Sequence, residues 1–334
     1  MSLTIHKPRR FRLQRSELAV PATSPHFFAK AASGGADVIF LDLEDAVAPE
    51  QKVNARRNAI AALNELDWGD KTVAVRVNGL DTPWNFRDIL DIGLQCPRLD
   101  MFMLPKTGTA FDVQYVDTLL SQIEQDVKRK EPFGLEVLIE TALGMSNVEA
   151  IAASSERLEA MIFGVGDYSV SMQTGDVLFG SAVAKYSILT APNERGERER
   201  HWNDKWHFAL TRMANACRAY GLRAIDGPYV DYADADGYRA CAERSAVLGL
   251  EGKWAIHPSQ VAIANEVYSP SPEQLEWSGR LITTMNEAVA QGRGAASLDG
   301  KMIDMAHLKV AEIIARKREA IALRRPSAAT GSKR

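Results

Sequence analysis

The stretch Asp37-Val-Ile-Phe-Leu-Asp-Leu43 is a short apolar run that ends among acidic residues, and Glu44 and Asp45 follow it directly. Residues 53–66 then show the spacing of apolar positions that is typical of a helix, and Thr72-Val-Ala-Val-Arg-Val77 is a second apolar, β-branched run. A strand, a helix and a strand in this order predict two parallel strands joined by a helix. This unit decides the fold, because the rest of the chain repeats it.

The same alternation extends along most of the chain. Apolar, β-branched runs predict strands at residues 17–21, 37–43, 72–77, 101–104, 135–139, 160–164, 222–225 and 253–256. Segments with helical periodicity lie between them, for example residues 115–127 and 206–220. Eight such units predict an α/β protein with a closed (β/α)8 TIM barrel of about 250 residues. An open doubly wound sheet is the alternative, although no GxGxxG follows the first strand.

Three segments depart from a plain barrel. Residues 169–204, after the sixth strand, are rich in Gly, Ser and charge, and they are too long for a simple connection, which favours a functional loop. Residues 271–321 predict two further helices around the linker Gln291-Gly-Arg-Gly294. We therefore divide the chain into a barrel with a basic N-terminal arm (1–270), a C-terminal helical extension or lid (271–323) and a disordered tail without large apolar residues (324–334).

Composition excludes several classes of protein. The 334 residues are 46% hydrophobic and 25% charged, as in globular proteins, and the net charge of −3 gives no field that would recruit nucleic acid or an acidic membrane. Cys96, Cys217 and Cys241 form no CxxC, which disfavours a disulfide framework or a Cys-type zinc site and favours the reducing cytoplasm. No apolar run approaches the roughly 18 residues of a membrane span, and the basic residues 1–15 lack the apolar core of a secretory signal.

Polar side chains stand at the carboxyl ends of the predicted strands, where a barrel places its active site. In strand order they are Asp42, Glu44 and Asp45, then Arg76 and Asn78, then Lys106, Glu140, Asp167, Asp226 and His257. Each has a structural alternative, because an acid can cap a helix and an arginine can pair within a strand. Their occurrence on consecutive strands favours a shared site at one rim of the barrel.

The chemistry of this set is specific. Two carboxylates on adjacent strands, completed by water and substrate oxygens, bind Mg²⁺ rather than zinc. A partly open Mg²⁺ can hold a 2-oxo or 2-hydroxy acid and act as a Lewis acid. A neighbouring arginine, always charged, can stabilise an enolate or a carboxylate. These parts are suited to making or breaking a carbon–carbon bond next to a carbonyl.

Six separated motifs resemble one known family over nearly the whole chain. They are Leu41-Asp-Leu-Glu-Asp45, Val75-Arg-Val-Asn78, Met103-Leu-Pro-Lys106, Ile139-Glu-Thr141, Gly164-Val-Gly-Asp167 and Ala255-Ile-His-Pro258. Their order is similar to that in the citrate lyase β-subunit-like (HpcH/HpaI) aldolase superfamily. Three further stretches resemble its malyl-CoA/β-methylmalyl-CoA lyase branch, namely Asn78-Gly-Leu-Asp-Thr-Pro83, His201-Trp-Asn-Asp-Lys-Trp-His207 and Gly252-Lys-Trp-Ala-Ile-His-Pro258.

The resemblance implies a TIM barrel with a C-terminal extension, dependence on Mg²⁺ with Mn²⁺ as an alternative ion, CoA-thioester substrates, and a homo-trimer or homo-hexamer. It implies that Glu140 and Asp167 ligate Mg²⁺ and that Arg76 stabilises the thioester enolate. Glu44 and Asp45 would then orient Arg76 and the water on the metal.

The resemblance also assigns residues outside the predicted rim. Asp304, in Gly300-Lys-Met-Ile-Asp304, matches an acid/base carboxylate that the extension delivers to a neighbouring subunit's site, although its local pattern predicts only a helix N-cap. The coenzyme would be bound by Lys30 and Arg15, which supply cationic donors to its phosphates, and by Ile256, His257 and Pro258.

One position departs from the family pattern. Relatives commonly carry an arginine after the first strand, in a Pro-Gly-x-Arg-Pro arrangement, whereas this chain has Pro21-Ala-Thr-Ser-Pro25, with Ser24 at the position of the arginine. Loss of that charge would affect CoA affinity or the identity of the thioester. We expect the nearby Arg10, Arg12 and Arg15 to compensate.

The implied activity is a Mg²⁺-dependent carbon–carbon lyase. It would cleave or form L-malyl-CoA or β-methylmalyl-CoA, with glyoxylate and acetyl-CoA or propionyl-CoA as products. Alternatives are a citramalyl-CoA or citryl-thioester lyase, a malyl-CoA thioesterase or malate synthase, and a non-catalytic CoA-binding protein. The intact set of Arg76, Glu140 and Asp167 disfavours the last of these. The partners expected are a small acyl-CoA and a 2-oxo acid; no nucleic acid is expected, because the basic clusters lie at the termini without interleaved aromatic residues.

Overall fold

The computed structural model of the protein describes residues 9–175, 179–180, 183, 185–202 and 204–324. In this part of the chain the strands are β1 Ser16–Pro21, β2 Val38–Asp42, β3 Thr72–Arg76, β4 Met101–Leu104, β5 Gly134–Ile139, β6 Leu158–Phe163, β7 Ser187–Leu189, β8 Arg200–Trp202, β9 Arg223–Asp226, β10 Gly252–Ala255, β11 Ala295–Leu298 and β12 Lys301–Asp304. The helices are α1 Phe28–Ser33, α2 Lys52–Glu65, α3 Asn85–Gln95, α4 Ala110–Asp126, α5 Ala142–Ser146, α6 Val148–Ala152, α7 Val165–Ser171, α8 His207–Ala219, α9 Ala235–Val247, α10 Pro258–Val267, α11 Pro272–Ala290 and α12 Met305–Leu323.

Eight parallel strands close into a barrel in the order β1-β10-β9-β6-β5-β4-β3-β2. The predicted TIM barrel is therefore confirmed. Side chains alternate along each strand, so that one set packs outward against the helices and the other fills the interior. The middle of the interior is an apolar layer that includes Phe40, Ala74, Leu138, Ile225 and Trp254. This layer separates the two ends of the barrel.

Strand register brings the polar ends of neighbouring strands together. Asp42, the last residue of β2, lies beside Arg76, the last residue of β3. Ile139 of β5 pairs with Phe163 of β6, so that Glu140 and Gly164 come next on adjacent strands. The carboxyl ends of the strands consequently form one polar rim.

The amino end of the barrel is closed by the arm that precedes β1. The arm is fixed to the barrel by ion pairs, because Arg12 Nε lies 2.7 Å from Glu159 Oε2 and Arg15 Nε lies 2.8 Å from Asp37 Oδ2. The backbone N–H of Arg9 donates to the carbonyl oxygen of Gly221 at 3.0 Å. All these contacts lie below the apolar layer, on the side opposite the polar rim.

A buried carboxyl pair lies inside this closed end. Gln14 Nε2 donates to Glu17 Oε2 at 3.2 Å and to Glu136 Oε2 at 2.9 Å, and both glutamates are fully buried. Among the described residues, the Oε1 atom of each glutamate has no donor. Two buried carboxyl groups that share one amide donor favour the protonated form of one of them, because two like charges in a buried site are costly. Burial, reinforced by the Glu136 carboxylate, raises the pKa of Glu17 well above its ordinary value.

Two hairpins were not predicted from the sequence. The segment predicted as a long loop holds β7 and β8, which pair antiparallel, and the extension holds the antiparallel pair β11 and β12 where only a linker was expected. Both hairpins are short and largely exposed, so they lack the apolar runs that reveal barrel strands. The extension has its own core, formed by Leu281, Met285, Ile303, Leu308 and Ala311. Arg324, the last described residue, pairs with Asp37, and the predicted disordered tail beyond it lies outside the described residues.

We predict that Glu17→Gln changes how stability depends on pH. A carboxyl whose pKa is raised in the folded state stabilises fully below its unfolded pKa of about 4.3, and that stabilisation is lost as pH rises through the folded pKa. The amide introduced by the substitution would donate to Glu136 without titrating. Urea unfolding from pH 5 to pH 9 should therefore show a free energy of unfolding that falls less steeply with pH in Glu17→Gln than in the parent.

The matched control is Glu50→Gln, at an exposed position, which should keep the parent's slope. Equal slopes for the parent and Glu17→Gln would contradict the buried proton.

Candidate active site

Arg76 is the central cation of the rim. Its Nε and Nη2 atoms donate to the two oxygens of Asp42, each at 2.7 Å, in a bidentate pair. The guanidinium carbon also lies 5.4 Å from the ring centre of Trp254 and 5.9 Å from that of Phe40. Burial alone would lower the pKa of Arg76, but the carboxylates of Asp42 and Glu44 outweigh it and raise the pKa. Arg76 is therefore a fixed, permanent charge.

Glu44 and Asp45 form an anionic layer above this arginine. Glu44 Oε2 lies 3.0 Å from Arg76 Nη1, and its other oxygen pairs with the Lys106 ammonium. Asp45 Oδ1 lies 3.1 Å from the same ammonium, while Asp45 Oδ2 is 4.0 Å from Arg76 Nη1. Burial raises the pKa of Glu44, although Arg76 opposes the rise. The structure thus brings Arg76, Glu44 and Asp45 together, as the sequence predicted.

Glu140 and Asp167 lie next to this network. Glu140 follows β5 and is 2% exposed, and its Oε1 accepts the backbone N–H of Lys106 at 2.6 Å. Asp167 lies in the first turn of α7. Burial raises the pKa of Glu140 to about 8, with Arg76 opposing and the Asp167 carboxylate adding to the rise. Burial likewise raises the pKa of Asp167, with Lys106 opposing and Asp45 adding to the rise.

These two carboxylates fit a magnesium ion. Arg76 and Lys106 pair with Asp42, Glu44 and Asp45, so among the described residues no cation forms an ion pair with Glu140 or Asp167, and burial raises the pKa of both carboxyls. A dication would reverse that effect, because metal ligands bind in their ionised form. No group of three or more His, Cys, Asp or Glu side chains able to hold a metal occurs in the described ranges. Two carboxylates, completed by water and substrate oxygens, are a donor set that Mg²⁺ accepts.

The residues assigned to the coenzyme by resemblance fall into two groups. Lys30 lines a mainly apolar cavity of about 680 Å³ together with Ile256, His257 and Pro258. The structure thus brings these four residues together, between α1 and α10 and next to the carboxyl end of β1. His257 is also the N-cap of α10.

The expectation for Arg15 is corrected by the structure. Its guanidinium is bound to Asp37 through Nε and Nη2, and its Nη1 donates to Ser269 Oγ at 2.8 Å. These contacts lie before β1, at the closed end of the barrel and away from the rim. Arg12 is held there by Glu159 in the same way. The arm therefore does not supply the charge that Ser24 lacks.

Asp304 begins helix α12 in the extension. Its Oδ1 accepts the backbone N–H of Ala306 at 3.0 Å and lies 2.7 Å from His307 Nδ1, so it is the N-cap that the local pattern predicted. Hydrogen bonds from His307 lower the pKa of Asp304, which is therefore ionised at neutral pH. Within a single chain Asp304 makes no contact with the rim residues in the described ranges, so its predicted acid/base role stays a prediction.

Two residues of the rim network, Asp42 and Lys106, had no role assigned from the sequence. Asp42 was part of a motif, but its bidentate grip on Arg76 depends on the register of β2 and β3. Lys106 ended the fourth strand, yet nothing in its neighbours indicated that its ammonium meets Glu44 and Asp45. Pairing the last polar residues of adjacent predicted strands would have found the Asp42–Arg76 pair.

Comparison with known proteins agrees with this geometry. The family model described as HpcH/HpaI aldolase/citrate lyase matches residues 15–258, which contain every barrel strand and rim residue. The chain belongs to the HpcH/HpaI aldolase/citrate lyase family. It is therefore a carbon–carbon lyase of that family, and the enzyme class expected from the sequence is confirmed.

Individual family members resemble the chain over most of its length. An L-malyl-CoA/β-methylmalyl-CoA lyase of Cereibacter sphaeroides is 44% identical, covering 96% of this chain and 99% of that protein. A (3S)-malyl-CoA thioesterase of the same species is 35% identical over 92% of this chain and 95% of its own length. The crystal structure of CitE from Mycobacterium tuberculosis in complex with magnesium, acetoacetate and coenzyme A covers 92% of this chain and 98% of that one, with a TM-score of 0.68 and 27% identity.

We predict that Gly164→Ala in this lyase weakens metal binding. A Cβ at position 164 would lie 2.4 Å from both Cβ and Oε2 of Glu140, so the carboxylate must move. Loss of one well-placed ligand or its support typically costs about 10- to 100-fold in metal affinity. Titration with Mn²⁺ followed by electron paramagnetic resonance should show that loss.

Gly166→Ala is the control in the same loop, because the nearest neighbours of its Cβ would be atoms of the Phe179 ring, from an ordinary 3.4 Å outward. It should keep the parent's Mn²⁺ affinity. Equal affinities for the parent and Gly164→Ala would contradict the placement of Glu140 as a ligand.

Proposed function

We propose that the protein catalyses the reversible cleavage of L-malyl-CoA to glyoxylate and acetyl-CoA, and of β-methylmalyl-CoA to glyoxylate and propionyl-CoA. The observation that supports this proposal most directly is the position of one fixed guanidinium, Arg76, near the buried Glu140 carboxylate and the half-buried Asp167 carboxylate. The 44% identity to an L-malyl-CoA/β-methylmalyl-CoA lyase over nearly the whole chain supports the choice of substrate.

Glu140 and Asp167 would hold Mg²⁺, which supplies Lewis acidity toward the hydroxyl and carboxylate oxygens of the substrate. In cleavage, a base removes the proton of the substrate hydroxyl. The carbon–carbon bond then breaks, its electron pair passes to the thioester half as an enolate, and the hydroxyl carbon becomes the aldehyde of glyoxylate. The acyl-CoA product forms when the enolate carbon takes up a proton.

Arg76 is suited to stabilise the enolate. Within the described contacts, three of its five N–H groups bind Asp42 and Glu44, and two remain for an anion above the rim. The guanidinium is buried and held from two sides, so little reorganisation is needed when negative charge develops on the thioester oxygen. Glu44 and Asp45 fix its orientation from above, as the resemblance implied.

In condensation, Asp304 of a neighbouring subunit would remove the α-proton of the acyl-CoA. Its ionised state is suited to a base, and it lies on an extension whose core is separate from that of the barrel. This role requires a homo-oligomer, and we propose the trimer or hexamer of the sequence-based expectation. Lys30 and the cavity beside Ile256, His257 and Pro258 would take the coenzyme.

The assay that tests the proposed function mixes the purified protein with L-malyl-CoA and follows glyoxylate with Mg²⁺, with Mn²⁺ and with EDTA. We expect glyoxylate and acetyl-CoA in equal amounts with Mg²⁺ and none with EDTA. Free CoA and malate without glyoxylate would instead indicate a thioesterase, which the 35% identical relative keeps as a second candidate. Turnover of citramalyl-CoA but not of L-malyl-CoA would show that the protein is a citramalyl-CoA lyase, which catalyses the same class of reaction on a different substrate.

We predict that Asp167→Asn abolishes metal-dependent turnover while the thermal unfolding midpoint stays near that of the parent, because a carboxylate ligand is replaced by a neutral group of the same shape. Asp304→Asn should also be inactive as a pure protein. If Asp304 acts on a neighbour's site, a mixture of the two inactive proteins, reassembled from dissociated subunits, should recover part of the parent's activity.

That recovery is expected because some sites then combine an intact Asp167 with an intact Asp304 from the next subunit. No recovery in mixtures that are shown to contain both chains would contradict the action of Asp304 between subunits. High activity of pure Asp167→Asn would contradict the metal assignment.

The described part of the chain contains no helix long and apolar enough to cross a membrane. Cys96, Cys217 and Cys241 are buried as free thiols. We propose the reducing cytoplasm as the site of the reaction, as expected from the cysteine usage.

A further inference from the structure

Lys106 lies where the two halves of the active site meet. It follows β4, and its backbone adopts a left-handed conformation with a φ of 50°. That conformation is uncommon for a residue with a side chain. The backbone N–H of Lys106 donates to Glu140 Oε1 at 2.6 Å, which fixes the buried member of the proposed metal-binding pair.

The side chain of the same residue holds the other half of the site. Its ammonium pairs with Glu44 and, at 3.1 Å, with Asp45 Oδ1. Glu44 is 5% exposed, and its second oxygen contacts Arg76. Glu44 thus bridges two cations. If either cation were removed, the other would be the remaining ion-pair partner of the Glu44 carboxylate among the described residues.

The charges of the rim show why this ammonium matters. Five carboxylates converge there, Asp42, Glu44, Asp45, Glu140 and Asp167, and in the described part of the chain the cations paired with this group are Arg76 and Lys106. Arg76 is committed to Asp42 by two hydrogen bonds, and it approaches Asp45 only to 4.0 Å. Among the cations of the described residues, Lys106 is therefore the one that pairs most closely with Asp45, whose carboxylate lies near Asp167.

We propose that Lys106 is a positioning residue for the lyase reaction. Its backbone fixes Glu140, and its ammonium pairs with Glu44 and Asp45, which reduces the pull of both carboxylates on Arg76 and the repulsion between Asp45 and Asp167, so that the guanidinium keeps two donors for the substrate. Without the ammonium, Arg76 is the one side-chain cation left to pair with Glu44 among the described residues. The negative charge of Asp45 then repels that of Asp167 more strongly. The backbone hydrogen bond to Glu140 does not depend on the side chain, so the proposed metal ligands stay in place.

A purely structural ion pair would behave differently. It would stabilise the connection between β4 and α4, and its loss would lower the unfolding temperature, metal binding and turnover together. Loss of a positioning residue would lower turnover but leave the unfolding temperature and metal binding unchanged, because only the arrangement of charges around the substrate changes. The inference rests on the proposed function for its kinetic readout, while metal binding and stability are measured without turnover.

The test compares Lys106→Met, which keeps the length and removes the charge, with Lys106→Arg, which keeps the charge. Lys128→Met is the matched control, because Lys128 is also a left-handed lysine (φ 52°) but is exposed and follows α4. For each protein, kcat and KM for L-malyl-CoA, the Mn²⁺ dissociation constant from electron paramagnetic resonance, and the thermal unfolding midpoint are measured.

We expect Lys106→Met to lower kcat about 10- to 100-fold, the usual effect of losing a residue that orients ligands or catalytic groups. Its KM, Mn²⁺ affinity and unfolding midpoint should stay near those of the parent. Lys106→Arg should recover most of kcat, and Lys128→Met should match the parent throughout.

Parent-like kcat in Lys106→Met would overturn the inference, and so would a loss of kcat that is accompanied by equal losses of Mn²⁺ affinity and stability, or one that Lys106→Arg does not repair. A parent protein that cleaves no malyl-CoA would contradict the proposed function, and with it the basis of this inference. An active parent beside an equally active Lys106→Met would contradict the role of Lys106 alone.

Discussion

The bidentate ion pair between Arg76 and Asp42 is the interaction on which the rest of the rim depends. Both side chains are buried, and removal of one partner from a buried pair typically costs about 3–5 kcal/mol because a charge is left without compensation. The pair exists because β2 and β3 are in register at their last residues. Glu44 and Asp45 follow Asp42 directly, so their approach to Arg76 is set by the same register.

The barrel carries buried charge at both ends, with different consequences. At the amino end, arginines of the N-terminal arm pair with Asp37 and Glu159, and burial raises the pKa of Glu17, which favours its neutral form beside Glu136. Acidic groups there are thus paired with arginine or favoured in the neutral form. At the carboxyl end, by contrast, the carboxylates outnumber the cations among the described residues, and the excess falls on Glu140 and Asp167. Such an imbalance is unfavourable for stability, but it suits a site that binds a dication.

Sequence periodicity predicted the barrel because its strands are apolar, β-branched and separated by amphipathic helices. It did not predict β7–β8 or β11–β12, whose strands are only three or four residues long and carry no run of buried apolar residues in the described part of the chain. Within the site, the strand-end positions of Arg76, Glu140 and Asp167 follow from the order of the strands. The contacts of Lys106 do not, because they depend on a left-handed backbone at one residue. Arg15 was expected to contact the phosphates of the coenzyme because it is basic. It lies just before β1, however, and residues that precede a strand of a parallel barrel lie at the amino end, where Arg15 binds Asp37.

The closed amino end also constrains the kinetics of the reaction. The apolar middle layer and the N-terminal arm leave the carboxyl rim as the only route to Glu140 along the barrel axis in the described part of the chain. The small 2-oxo acid would sit deepest, against Glu140 and Asp167, and the bulky thioester would lie above it. Under that geometry the oxo acid would bind first in condensation and leave last in cleavage.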